Sequence, residues 1–70
     1  MMPLTFADIG EYNIIKKIGG KQEVRTHLEN LGFNPGGEVT VLNTIGGNVI
    51  VKVKESRIAI SKEMAQKIMV

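Results

Sequence analysis

The chain has no cysteine. That excludes disulfides, thiolate nucleophiles and cysteine-ligated zinc, and a small cysteine-free domain fits a reducing cytoplasm. Tryptophan is also missing, and the aromatics are only Phe6, Tyr12 and Phe33, so platforms for stacking nucleic-acid bases are scarce. His27 is the single histidine, which leaves no imidazole pair for a metal. No apolar stretch approaches the roughly 20 residues that cross a bilayer. Met1 to Asp8 lack the basic start and apolar run of a signal peptide. A soluble, cytoplasmic protein without membrane insertion is expected.

What is present is ordinary for a globular chain. Seventy residues, 43% hydrophobic and 23% charged, make one domain over residues 1–70, because so short a chain cannot divide its core. Nine Lys/Arg against seven Asp/Glu give a net charge of +2, too little to argue for nucleic acid by itself. Lys16, Lys17, Lys52, Lys54 and Arg57 would form one basic patch if their segments were neighbouring strands. Otherwise they are the solvated outer faces of an antiparallel sheet.

Periodicity divides the chain into short elements. Glu11 to Ile18 is rich in β-branched residues and ends at Gly19-Gly20, which predicts a first strand whose facing stays open. From about 21 to 31, Val24, Leu28 and Leu31 form a narrow apolar stripe that predicts a helix docked on one side. Gly32 is placed to end that helix in the left-handed conformation, with Phe33 folding back on the stripe. Glu38 to Ile45 and Asn48 to Lys54 predict a hairpin turned at Gly46-Gly47, with Val49, Val51 and Val53 inward. Arg57 to Ile60 reads as a fourth strand with Ile58 and Ile60 inward. Ser61 is the expected N-cap of a short helical turn at about 62–67, and Ile68-Met69-Val70 a closing strand paired with the first. The expected fold is mainly β: a small five-stranded SH3-like barrel with an inserted helix.

Chemistry is sparse. A serine, histidine and carboxylate set would draw on Ser56 or Ser61 with His27 and Asp8, yet Ser61 is committed to a cap and Ser56 to a turn, so no enzyme is expected. Glu23 and His27, one helical turn apart, supply two donors where metal sites use three or four. No cofactor is expected, and a weak Fe(II) contact stays open. Gly20-Lys21-Gln22 fails the phosphate-loop spacing, since its first glycine would fall at Ile15 and Gln22 replaces the required hydroxyl.

The order of strand, Gly-Gly, a helix bearing Arg25 and Leu28, then Leu31-Gly32-Phe33 and Pro35-Gly36-Gly37, resembles the signature of the FeoA family. That family is the small cytoplasmic component of the bacterial ferrous iron transport system. The closing segment from Arg57 to Val70 resembles the family's final strand, turn and strand. The resemblance implies an SH3-like fold, no catalysis, and action as an adaptor or regulator of FeoB, the ferrous iron permease with a cytoplasmic GTP-binding domain. The helix can present a docking face, with Arg25, His27 and Glu29 as candidate partner-binding residues. Nucleic acid bound by the basic strand residues, or a ferrous-sensing module, are the alternatives. A homo-oligomer is also open.

Overall fold

A computed structural model describes residues 1–70. A 3-10 turn at Leu4–Phe6 leads into β1 (Tyr12–Ile14), β2 (Lys17–Ile18), α1 (Gln22–Leu31), β3 (Glu38–Ile45), β4 (Asn48–Val53), β5 (Ser56–Ser61), α2 (Lys62–Ala65) and β6 (Ile68–Met69). One antiparallel sheet has the order β1-β3-β4-β5, and a second pairs β2 with β6. The fold is the expected small barrel with an inserted helix, but the strands number six, because the segment from Glu11 to Ile18 breaks in two.

The break settles the facing that the sequence left open. Across Ile15-Lys16 the chain leaves one sheet for the other: the Ile15 N–H donates to the Gly37 carbonyl and the Lys16 N–H to the Met69 carbonyl, each at 2.8 Å. A continuous strand would have put Ile15 and Ile18 on opposite faces. Because of the corner both point inward, at 1% and 7% exposure, while Ile14 is 40% exposed.

The β3–β4 hairpin turns at Gly46-Gly47 as expected, with Gly46 at φ +59°. A plain two-residue hairpin would carry its register on to set Val41 against Lys52 and Thr40 against Val53, mismatching inner and outer faces. A bulge at Leu42 prevents this. Beyond it Val41 pairs with Val51, Thr40 with Lys52 and Val39 with Val53, so every valine of the hairpin reaches the core.

The sequence pattern gave no role to the N-terminus, and the structure supplies one. Met2 and Val70 exchange backbone hydrogen bonds at 2.8 Å, and Pro3 bridges to Met69. The last strand therefore pairs with β2 on one side and with the first residues on the other, so its edge is closed. Leu4 is fully buried beneath this seam. α2 is shorter than expected, ending at Ala65. Its N-cap is Ser61, whose hydroxyl accepts from the Met64 N–H at 3.2 Å.

α1 begins at Lys21 without a side-chain cap and ends at Gly32. There the Gly32 N–H donates to the Glu29 carbonyl at 2.9 Å and the Phe33 N–H to the Leu28 carbonyl at 3.0 Å. This is the double bond pattern of a left-handed helix end. It swings Phe33 back under the helix, where Phe33 and Leu28 are both fully buried. All fourteen buried residues are apolar and form one cluster.

Gly32 sits at φ +108°, and the nearest atom to an added Cβ would be Val53 at 3.8 Å. The obstacle to a side chain is therefore backbone strain, since the space itself is adequate. Gly32→Ala should cost about 1–2 kcal/mol. Leu28→Ala, which empties a fully buried position, should cost about 2–5 kcal/mol. Denaturant titration followed by circular dichroism checks both, and the order Leu28→Ala worse than Gly32→Ala is the expected outcome.

Candidate functional site

With an entirely apolar interior, whatever this protein recognises must meet its outside. α1 presents most of its residues to solvent. Leu28 alone is buried along it, with Val24 and Leu31 half-buried. At about 100° per residue, Arg25 and Glu29 fall on one flank of this seam. Glu23 and His27 fall on the other. The three candidate partner-binding residues are thus all exposed but do not make one patch. Arg25 is held in place on its flank: its Nη2 donates to Gln22 Oε1 at 2.8 Å, and Gln22 Nε2 donates to Thr26 Oγ1 at 3.1 Å. No group of three or more His, Asp or Glu side chains converges anywhere to hold a metal ion.

The basic residues are divided as well. Lys17 pairs with Met69 in the small sheet and Lys16 lies at the corner, so neither adjoins the other three. This corrects the single patch that neighbouring strands would have made. Lys52 and Arg57 do meet, directly opposite one another across β4 and β5. The row continues through Thr40 on β3 to Tyr12 on β1. Like charges directly opposed on a sheet repel. Glu38, which pairs with Ile14, lies diagonally beside Tyr12 on the same outer face. A shallow groove of about 150 Å³ runs between Tyr12, Glu38, Thr40, Lys52 and Lys54.

Sequence reasoning missed this row, because outward alternation names the exposed residues of a strand without telling which residue stands opposite. It also missed a second concavity, a cleft of about 340 Å³ between the N-terminal segment and the hairpin, lined by Leu4, Ala7, Ile9, Val41 and Val49 among others. Phe6 and Ile9 are exposed near it. The only early signal was an apolar N-terminus with no assigned partner.

A small barrel of two antiparallel sheets, carrying one surface helix and no interior polar site, defines a small SH3-like domain. Solved structures share it. A crystal structure described as the iron uptake regulatory protein FeoA superposes with a TM-score of 0.87 at 29% identity, covering 96% of this chain and 91% of that one. The zinc complex of FeoA from Stenotrophomonas maltophilia has a TM-score of 0.85 at 20% identity, covering 99% and 88%. It is described as a prokaryotic SH3 domain protein and put forward as an activating factor of bacterial ferrous iron transport.

The FeoA domain pattern matches residues 2–70. A curated relative from Methanocaldococcus jannaschii, whose name proposes it as an Fe(2+) transport protein A, is 41% identical over 70 residues, all of this chain and 85% of the relative. The chain belongs to the FeoA family, a family connected with ferrous iron transport.

Hydrogen bonding to Glu38, then partial desolvation and the Glu38 charge, raise the Tyr12 phenol above its ordinary value of 10.0. An acid with a raised value holds its proton more tightly in the folded state. The contact's contribution is therefore present below pH 10 and lost as the phenol ionises. Glu38→Gln should bring the Tyr12 titration back down toward 10.0, read by ultraviolet difference spectroscopy. No change on substitution would show that the two side chains do not interact.

Proposed function

We propose that residues 1–70 act as one non-catalytic adaptor module that regulates ferrous iron uptake in the cytoplasm. The module does so by binding the cytoplasmic GTP-binding domain of a FeoB-type iron permease. Membership of a ferrous iron transport family supports the setting. The observation that carries the mode of action is the disposition of α1, which commits the narrow seam of Val24, Leu28 and Leu31 to the core and leaves the rest of the helix surface free. On that surface the Arg25–Gln22–Thr26 hydrogen bonds hold a guanidinium in a defined place, which lowers the ordering cost of a contact.

In this reading Arg25 and Glu29 form the primary contact, a cation and an anion one turn apart that fix the partner's register. His27 lies on the opposite flank and contacts only a partner that wraps the helix. Catalysis is not part of the proposal, because no polar side chain is buried and tuned acids and bases depend on burial or close neighbours. No helix is long and apolar enough to cross a membrane, which accords with a component that is recruited to a transporter.

The test is capture of the permease's soluble GTP-binding domain by the full chain. Arg25→Glu reverses an exposed charge and should leave the circular dichroism spectrum and melting temperature unchanged. It should weaken capture roughly tenfold, about 1.4 kcal/mol. Capture equal to that of the unaltered chain would remove α1 from the interface.

A further inference from the structure

We propose that the outer face of the β1-β3-β4-β5 sheet is a second recognition surface, built to take an extended acidic polypeptide segment along the row Tyr12–Thr40–Lys52–Arg57. The inference does not depend on which partner α1 engages.

Three observations converge on this row. First, the register sets Lys52 directly against Arg57, and the other neighbour of Lys52 in the row is the uncharged Thr40. Neither cation has a carboxylate opposite it in the sheet. The pairing is unfavourable in the isolated chain, and an incoming anionic group relieves it by lying between the two. Second, the row ends in Tyr12, an aromatic side chain left 58% exposed on the same face. Tyrosine and arginine, which stand at the two ends of the row, are residue types enriched where proteins meet. Third, the surface is concave there, with a groove between Tyr12, Glu38, Thr40, Lys52 and Lys54 in which two cations face one carboxylate. Lys54 stands at φ +55°, a conformation that favours glycine or asparagine, so a lysine is kept there at some cost to the backbone.

The polarity of the row identifies the occupant. Its cationic end is Lys52 and Arg57. The one carboxylate of the groove, Glu38, lies diagonally beside both Tyr12 and Lys52, leaving Arg57 the cation of the row farthest from it, while hydrogen bonding and charge from Glu38 raise the Tyr12 phenol. A nucleic-acid strand carries a phosphate at every step and would bring one against Glu38. A polypeptide can put its acids at one end and an apolar or hydrogen-bonding residue at the other. Three strand spacings of about 4.8 Å make the row about 14 Å long, the reach of roughly four extended residues at about 3.3 Å each. One aromatic platform also falls short of the two or three used to stack bases.

The experiment is an amide NMR titration of the full chain with a synthetic peptide that carries two glutamates at one end and leucine and glutamine at the other, and in parallel with a single-stranded oligothymidine. Saturable shifts confined to Tyr12, Thr40, Lys52, Arg57 and their neighbours, weakening as salt is added, are expected with the peptide. Lys52→Glu sets opposite charges across β4 and β5, so it should hold or raise the melting temperature while weakening peptide binding at least tenfold. The proposal is overturned if the peptide causes no shifts, if the shifts map to another face, or if Lys52→Glu binds as well as the unaltered chain. Oligothymidine binding tighter than the peptide on the same residues would overturn it in favour of nucleic acid.

Discussion

The barrel depends on one corner. At Ile15-Lys16 the backbone stops pairing with the loop before β3 and starts pairing with the C-terminal strand. The Gly36 N–H donates to the Ile15 carbonyl at 2.7 Å, and the next residue's N–H already serves Met69 at 2.8 Å. Without that change of partner, Ile15 and Ile18 could not both be inside, and β6 would have no strand to complete. The termini are then drawn together, since β6 is flanked by β2 and by Met2-Pro3. A chain of 70 residues has little core to spare, and covering the free side of β6 with its own first residues removes one open strand edge without added length.

This economy shapes what the protein can do. Every buried residue is apolar, so the polar side chains are deployed on the surface. α1 shows the arrangement at small scale. Its seam through Val24, Leu28 and Leu31 and the left-handed exit at Gly32 fasten it to the barrel, and the rest of its circumference is free. The sheet's outer face has a different character, with aromatic and cationic residues brought into one line by strand pairing. Membership of the FeoA family fits a protein whose working parts are such surfaces. The fold alone would not have indicated iron transport, because barrels of this kind carry many functions.

Much of the architecture was written locally in the chain. Gly32 ends the helix because glycine tolerates φ +108°, Ser61 caps because its hydroxyl reaches an N–H three residues on, and Val49, Val51 and Val53 face inward because strands alternate. These depend on neighbours a few residues away, which is why pattern reading reached them. The same reading gave five strands where there are six and grouped Lys16 and Lys17 with Lys52, Lys54 and Arg57. It treated Arg25, His27 and Glu29 as one candidate set, although the helix carries His27 on the opposite flank.

The sequence by itself determined the helix and its end, the glycine hairpin, the inward valines, the serine cap and the family resemblance. Only the tertiary structure decided the corner at Ile15-Lys16, the pairing of Met2 with Val70, and the rows across the sheet. The bulge at Leu42 shows the reason. One extra residue in β3 moves Thr40 from a place opposite Val53 to one opposite Lys52, and with it decides which side chains stand beside Tyr12. Local preferences choose the conformation of a segment, but which residues face each other across a sheet is chosen by long-range hydrogen bonds and by how a closed core is filled.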